Sequence, residues 1–205
     1  MNVKANPKLA FRYFERAMKS NVALGKFHLA RCYDLGIGVS ANPMLATRLF
    51  KSAAMQGLPE ANMTMARRYF EGKGVEADPV AGIGWLTRGA QLGSAEAMVI
   101  LGERFENGDV VMKDLNRAGQ LYSSAAKIND PTGTYKLALM YLKGVGTKAD
   151  PIRAYVLLND AQALPAAKKV FDELGNRFTP EQKKIAQQKL VENKNAKSQS
   201  SAEQK

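Results

Sequence analysis

Residues 61–96 read ANMTMARRYFEGKGVEADPVAGIGWLTRGAQLGSAE, and most of the chain repeats this stretch. At a spacing of 36 residues the chain aligns with itself over four units without an insertion. The recurring positions hold an aromatic residue, a glycine and a small residue: Tyr33, Tyr69, Phe105 and Tyr141; Gly36, Gly72, Gly108 and Gly144; Ala17, Ala53, Gly89, Ala125 and Ala161. A period of this length is typical of a solenoid, in which each unit buries its apolar face against its neighbours.

Each unit is predicted to contain two helices joined by a glycine-containing turn. In residues 61–96 the first helix is indicated by small and apolar residues that share one face at helical spacing, Ala61, Met65, Ala66 and Tyr69. Gly72 ends that helix, and Asp78 before Pro79 is typical of an N-cap followed by proline at the first helical position. In the third unit Val110 and Leu115 replace the second turn glycine and the proline, so its turn is expected to follow a different path.

The two ends depart from the repeat. Residues 6–19 match only the second helix of a unit, so the chain as given starts within a repeat. Near the other end, Thr179, Glu181 and Gln182 with Pro180 indicate a capping box that starts a Lys/Gln-rich helix. From Asn193 the sequence NKNAKSQSSAEQK has no apolar residue larger than alanine, and it is predicted to be disordered.

The composition is that of a soluble globular chain with excess positive charge. The 205 residues are 45% hydrophobic and carry a formal charge of +11, which favours acidic partners or anionic surfaces. No transmembrane run and no secretory signal is seen. The single cysteine, Cys32, cannot form an internal disulfide, which favours a reducing compartment. We expect a cytoplasmic protein, or a periplasmic one if an upstream signal peptide has been removed.

These residues resemble the Sel-one-like repeat (SLR) family, a relative of the tetratricopeptide solenoids. The family pattern Ala-x-x-x-Leu-Gly-x-x-Tyr-x-x-Gly is matched by residues 97–108 except at Phe105, and Trp85 lies where the family favours tryptophan. The resemblance covers residues 3–178. It implies an all-α, right-handed α–α superhelix of about four 36-residue helix-turn-helix repeats, with a half repeat and a capping helix at the ends.

The predicted organisation is one solenoid domain over residues 1–192 and a disordered polar tail over residues 193–205. Within the domain, full units are placed at about residues 25–60, 61–96, 97–132 and 133–168, with capping helices over 166–192. The family resemblance also implies a non-enzymatic scaffold, often one that assembles membrane-associated or cell-envelope complexes.

No residue is predicted to be catalytic or to bind a metal or a cofactor. His28 and Cys32 occupy positions that vary between units, and both are expected to be at least partly exposed. The glycines in residues 36–38 follow a helix, whereas a dinucleotide-binding fingerprint follows a strand. The recurring aspartates, Asp78, Asp114 and Asp150, have the period of helix caps rather than of a catalytic pair.

The residues predicted to bind a partner lie on the first helices, which usually line the concave face of such a solenoid. We call them the stripe; they are Phe27, Arg31, Met63, Arg67, Arg68, Phe70, Tyr135 and Leu139. Its mixed apolar and charged character suits an extended peptide or a helix. Phe27 and Tyr135 have an alternative interpretation as core residues, whereas Arg31, Arg67 and Arg68 are predicted to be exposed contacts.

The opening helix carries a second candidate surface, the basic face, formed by Lys8, Arg12, Arg16 and Lys19. These charges serve either solubility alone or docking to an acidic protein, to anionic lipid headgroups or, least favoured, to nucleic acid. The preferred function is a monomeric adaptor that holds an acidic or mixed apolar and acidic protein partner. The alternative is a cell-envelope binder of an anionic non-protein ligand such as peptidoglycan, an acidic polysaccharide or lipid headgroups.

Overall fold

The computed structural model describes the backbone of residues 6–202 and their side chains except those of residues 197 and 200–202. Over residues 6–202 the chain forms eleven α-helices and no strand, which confirms the predicted all-α class. The helices are α1 (Pro7–Lys19), α2 (Ala23–Leu35), α3 (Pro43–Met55), α4 (Pro59–Glu71), α5 (Pro79–Gln91), α6 (Ala95–Asn107), α7 (Leu115–Lys127), α8 (Pro131–Lys143), α9 (Pro151–Asp160), α10 (Pro165–Arg177) and α11 (Pro180–Ala202).

Besides its 36-residue repeats, the chain shows a coarser division into two compact parts, which we call the first unit, Met1–Leu101, and the second unit, Gly102–Lys205. In the first unit, α1 packs on α2, α2 on α3, α3 on α4, and α4 on α5. In the second, α7 packs on α8, α8 on α9, and α9 on both α10 and α11. Packing between helices that follow one another in the sequence is the arrangement that a helical repeat protein requires.

The second helix of each repeat starts at a polar cap. A side-chain oxygen accepts a hydrogen bond from the backbone N–H three residues further on, and this occurs at Asn6, Asn42, Asp78, Asp114 and Asp150. Such a bond satisfies one of the backbone donors that a helix leaves unpaired at its start. The caps therefore fix where each second helix begins.

A glycine in the turns of the first two repeats lets each turn lie close to the preceding helix. Gly74 has φ 67°, and a Cβ atom there would overlap the carbonyl oxygen of Pro43 at the start of α3. A Cβ atom on Gly38 would likewise overlap the carbonyl oxygen of Pro7 at the start of α1. The turn of one repeat therefore rests directly on the preceding second helix, at a distance that only glycine permits.

The expectation of a different turn path in the third repeat is wrong. Val110 adopts φ 67°, in the same left-handed region as Gly74. The N–H of Asp114 donates to the carbonyl of Phe105 over 2.9 Å, just as the N–H of Asp78 donates to Tyr69. The flanking caps hold the turn in its usual shape, and the valine adopts a backbone conformation that is unfavourable for a β-branched residue.

Each unit has its own core, and alanines dominate both. In the first unit the buried cluster is Ala30, Ala46, Phe50, Ala53, Ala54, Ala61 and Met65. In the second it is Ala138, Ala154, Leu158, Ala161, Ala167, Leu174, Phe178 and Ala186. Small side chains let neighbouring helices approach closely, and the few large residues fill the remaining space.

The C-terminal segment differs from its prediction. The capping box forms as expected, since Thr179 and Gln182 exchange backbone-to-side-chain hydrogen bonds. However, α11 continues to Ala202, so residues 193–202 are helical rather than an irregular tail, while residues 203–205 lie outside the described residues. Residues 193–202, NKNAKSQSSA, contain no Gly or Pro, so a helix that has already started propagates through them.

Candidate functional site

Two arginines of the stripe are exposed at equivalent positions of consecutive repeats. Arg31 lies on α2 and Arg67 on α4, one repeat period apart, and both side chains are exposed. Within the described residues, neither guanidinium forms an ion pair or a side-chain hydrogen bond. Both charges are therefore available to a ligand.

The apolar members of the stripe in the first unit mostly belong to the core. Met63 is buried, with 8% of its surface exposed. Phe27 is half-buried, and its ring lies edge-on to Phe50 at a centroid distance of 5.3 Å. Phe70 is half-buried over Gly82, where it fills the space that a Cβ atom would take. Phe27 therefore packs against the core, in line with its alternative interpretation as a core residue.

The prediction that Arg68 is an exposed contact is wrong. Only 2% of the residue is exposed. Its guanidinium donates to Asp34 Oδ1 over 2.7 Å, to Thr47 Oγ1 over 2.8 Å and to the Pro43 carbonyl over 2.8 Å. The guanidinium also lies 5.3 Å from the centre of the Phe50 ring. Arg68 thus joins α2, α3 and α4, and it is a structural residue.

The partner of Arg68, Asp34, is held by two cations. Lys73 Nζ donates to Asp34 Oδ2 over 2.7 Å, opposite the bond from Arg68 to Oδ1. Burial raises the pKa of the Asp34 carboxyl, but the hydrogen bonds and positive charges of Lys73 and Arg68 outweigh that effect, and the pKa lies below its ordinary value. Asp34 is therefore ionised at neutral pH and is already paired.

In the second unit, the positions of Arg31 and Asp34 are held by Glu103 and Glu106, and both carboxylates already have partners. Glu103, at the position of Arg31 and Arg67, forms an ion pair of 2.6 Å with Lys136. Glu106 accepts a 2.7 Å hydrogen bond from the hydroxyl of Tyr122. Burial and this hydrogen bond to Glu106 raise the pKa of Tyr122. The stripe residues of this unit, Tyr135 and Leu139, are half-buried, and Tyr135 packs against the core.

The basic face is exposed along α1, since Lys8, Arg12, Arg16 and Lys19 are all solvent-accessible. The opposite face of α1 packs on α2, where Phe11 contacts Tyr33 and Phe14 stacks on His28 at a centroid distance of 5.0 Å. His28 is half-buried by this stacking.

Cys32 does not match its expected partial exposure, because only 2% of the residue is exposed. Burial raises the pKa of the Cys32 thiol, so the reactive thiolate is disfavoured. Among the described side chains, no group of three or more His, Cys, Asp or Glu residues is placed to hold a metal ion.

The described helices include none that is long and apolar enough to span a membrane.

The repeats match a known family. The Sel1 repeat model matches residues 1–21, 23–58, 59–94, 95–130 and 131–159. The chain belongs to the Sel1 repeat family. This confirms the predicted SLR resemblance, and Sel1 repeats generally act as helical scaffolds for protein interactions. Among curated proteins, none matches the chain.

Solved structures of bacterial proteins share the Sel1 repeat fold. A Sel1 repeat protein from Oxalobacter formigenes is 29% identical, covers 82% of this chain and 49% of its own, and superposes with a TM-score of 0.76. A protective antigen present in uropathogenic Escherichia coli strains, which displays an SLR fold, is 25% identical, with coverages of 93% and 42% and a TM-score of 0.76. The Sel1 repeat chain described here therefore spans less than half of the length of either protein. An immunity protein from Pseudomonas aeruginosa is 17% identical, with coverages of 92% and 75% and a TM-score of 0.51, and it resembles the chain in fold alone.

Proposed function

We propose that this Sel1 repeat chain is a non-enzymatic adaptor that holds an acidic segment of a partner protein across α2 and α4. The observation that carries the proposal is the pair Arg31 and Arg67, two exposed arginines without partners in the described chain at equivalent positions of consecutive repeats. A guanidinium binds a carboxylate with two parallel hydrogen bonds, so each arginine suits an Asp or Glu side chain.

Apolar side chains beside Arg31 supply the second part of the binding surface. Leu24 and Leu35 are 52% and 59% exposed on α2. They lie seven residues before Arg31 and four residues after it, so helical geometry places all three on one face. A partner segment with an apolar residue next to an acidic one matches this face. Arginine is one of the residue types that commonly supply most of the binding energy of an interface, and the leucines add apolar contact area beside it.

The charge of the surface is tested by reversing it. Arg31→Glu with Arg67→Glu is expected to abolish capture of the partner protein from a lysate of the native cell. The matched control is Arg48→Glu with Lys51→Glu, which makes the same change of charge at exposed positions of α3. Arg68 is left unchanged, because its replacement would disturb the fold.

The expected result is that one set of proteins binds the wild type and the control and is lost from the Arg31/Arg67 variant. These proteins must share an acidic segment that binds again as a synthetic peptide. Capture of the same proteins by the charge-reversed variant would refute the assigned surface. Recovery of glycans or lipids alone would refute the adaptor function.

A further inference from the structure

A pocket of about 510 Å³ opens between α7 and α8 in the second unit. One face of α7 forms one wall, and α8 with its following turn forms the other; the lining residues include Asn116, Gly119, Gln120, Ser123, Tyr141 and Thr147. The volume lies within the range of roughly 300–1,000 Å³ of small-ligand pockets. Further repeats precede and follow these two helices in the chain, so the pocket is a feature of complete repeats.

The pocket is open because Gly119 has no side chain at a position where two other second helices carry a ring. Phe11 holds this position on α1, and its ring lies edge-on to Tyr33 at a centroid distance of 5.6 Å. Tyr155 holds it on α9, where its ring stacks on a phenylalanine of α10 at 4.1 Å. The two remaining second helices carry threonine and isoleucine there. Tyr141 is the equivalent of Tyr33, so the space that a ring takes beside Tyr33 is open beside Tyr141.

Close packing of helices does not explain this glycine. At Gly102, also in the second unit, a Cβ atom would lie 2.6 Å from the ring of Tyr122, so packing requires a glycine there. Among the described residues, a Cβ atom on Gly119 would meet only the flexible end of Met140, at 3.4 Å. Glycine inside a helix is less stable than any residue except proline. The chain therefore keeps an unfavourable residue beside an open pocket, as proteins do where a ligand site is maintained at the expense of stability.

One side of the Tyr141 ring is already covered. The guanidinium of Arg153 lies 4.4 Å from the ring centre. Arg153 belongs to α9, the second helix of the same repeat, whereas the ring of Phe11 reaches Tyr33 from the preceding second helix. A ligand ring beside Gly119 approaches Tyr141 from α7, so it can contact Tyr141 edge-on while Arg153 stays in place.

The rim of the pocket can form hydrogen bonds along an extended chain. Asn116, Gln120, Ser123 and Thr147 have side chains that bond to no other described residue. Asn116 and Ser123 are seven residues apart on α7, which is about 10 Å and corresponds to about three residues of extended peptide. Side-chain amides and hydroxyls both donate and accept, so they match the alternating N–H and C=O groups of a peptide backbone. The lining contains no aspartate or glutamate, which disfavours a cationic ligand.

We propose that this pocket binds an aromatic side chain on an extended segment of a partner protein. The ring lies beside Gly119 and contacts Tyr141, in the place that the Phe11 ring takes beside Tyr33. The segment's backbone bonds to the polar side chains of the rim. The pocket lies in the second unit and Arg31 and Arg67 lie in the first, so this inference does not depend on the proposed acidic partner.

The probe is the synthetic peptide acetyl-Ser-Gln-Phe-Ser-Gln-amide, compared with the same peptide carrying alanine in place of phenylalanine and with free N-acetylphenylalanine amide. Binding to the full, isotope-labelled chain is followed by two-dimensional amide NMR, with Ser123 and Gly146 in the pocket wall as reporters. The variants Gly119→Phe and Gly119→Ile fill the pocket from within, with the residues that α1 and α5 carry at this position. The control Gly84→Phe adds the same ring to an exposed site of α5 where nothing lies within 4 Å.

We expect saturable binding of the phenylalanine peptide, at least about tenfold tighter than that of the alanine peptide, because the ring is buried. Gly119→Phe and Gly119→Ile should weaken it at least about tenfold, whereas Gly84→Phe, and Arg31→Glu with Arg67→Glu, should bind like wild type. Both Gly119 variants should unfold at a higher urea concentration than wild type, because each replaces a helix glycine and fills open space. Loss of binding then does not come from loss of the fold.

Four results would overturn the proposal: equal binding of the alanine peptide, no binding of either peptide, wild-type binding by the Gly119 variants, or lower stability of both variants. Binding of free N-acetylphenylalanine amide as tight as that of the phenylalanine peptide would also overturn it, since the rim would then contribute nothing to recognition of a peptide backbone.

Discussion

Replacing Arg68 by methionine tests the buried charge network of the first unit. The change removes the hydrogen bonds from the guanidinium to Asp34, Thr47 and Pro43. Methionine fits this position, since the equivalent Met140 in the fourth repeat is only 4% exposed. The experiment therefore removes charge and hydrogen bonds without adding a misfitting side chain.

The cost follows from the partners that remain. All three hydrogen bonds come from a charged guanidinium, and a hydrogen bond to a charged group contributes about 1.5–3 kcal/mol when its partner is left with no replacement. The Pro43 carbonyl still accepts a 2.9 Å bond from the Thr47 hydroxyl, and Asp34 keeps Lys73 at 2.7 Å. We therefore expect a loss of about 2–4 kcal/mol in unfolding free energy, below the roughly 3–5 kcal/mol of a buried pair that loses its only partner.

Trp85 makes the assay specific to the first unit. It is the only tryptophan of the chain, and it packs against the core cluster of that unit. Urea unfolding at neutral pH is followed by its fluorescence, and the midpoint falls at unchanged slope if only stability changes. The control Lys189→Met breaks an exposed pair with Glu192 on α11 and should not shift this transition.

A double-mutant cycle decides whether the pair acts as a unit. Asp34→Asn with Arg68→Met is expected to cost less than the sum of the single changes, with a coupling of about 1–3 kcal/mol. If Arg68→Met changes the unfolding free energy by less than about 1 kcal/mol, or if the two changes are additive, the structural role assigned to Arg68 is refuted.

Three further predictions concern single positions. Because folding lowers the pKa of Asp34, its ionised carboxylate contributes fully to the unfolding free energy above the ordinary pKa of 3.8, and this contribution is lost as the pH falls through the lower folded pKa. The difference in unfolding free energy between wild type and Asp34→Asn should therefore shrink below about pH 4, as measured by urea unfolding at a series of acid pH values. A difference that stays constant with pH would contradict this. Gly84→Ala, at an exposed helical position with nothing near the added methyl group, should raise the unfolding free energy by about 0.5–1 kcal/mol. Gly74→Ala should lower it by at least about 3 kcal/mol, because the added methyl group would overlap the Pro43 carbonyl and the residue has a positive φ. Equal effects of the two changes in urea unfolding would refute the claim that Gly74 is required for close packing on Pro43. Val110→Gly should stabilise the second unit by about 1 kcal/mol by relieving the positive φ, as measured by urea unfolding monitored by circular dichroism, and a loss of stability would show that the valine is not strained.

The features predictable from sequence are those that depend on a few neighbouring residues. Asp78 before Pro79 indicates the start of a helix, and α5 begins at Pro79 with the Asp78 side chain bonded to Ala81 N–H. Gly72 indicates the end of a helix, and it adopts the left-handed cap after α4. Each of these signals recurs with the period of the repeat. The fold class follows from them because a helix pair with one apolar face must stack on its neighbours.

The burial of Arg68 depends on groups far away in sequence, and local pattern does not show it. Its ion-pair partner Asp34 lies 34 residues earlier, and Thr47 lies 21 residues earlier. A signal was nevertheless present, because two of the equivalent residues in the other repeats, Cys32 and Met140, are apolar. Apolar residues at two of the four equivalent positions indicate that this position can be interior, where a charge needs a partner. The remaining equivalent, Arg104, keeps 30% of its side chain exposed.

At the end of α11 the sequence composition predicts disorder, whereas the structure shows a helix. Low hydrophobicity predicts disorder because it gives a segment little apolar surface to bury. Residues 193–202 continue a helix already started by a capping box and packed on α9, so they do not bear the cost of nucleation. Asn193 also donates to Asp160 of α9 over 2.9 Å, which ties the beginning of the extension to the second unit.

Arg67 and Arg68 are neighbours in sequence, yet they face different environments on α4. The side chain of Arg68 points between helices, where low polarity makes an unpaired charge costly and so requires Asp34, Thr47 and Pro43 around it. The side chain of Arg67 points into solvent, where the charge needs no partner and stays available. A residue type that differs between repeats can therefore be explained in two ways. At a buried position it fits the local packing and hydrogen-bonding partners, and at an exposed position it can serve binding. Burial at each register separates the two, and by that criterion Arg31 and Arg67 remain binding candidates whereas Arg68 does not.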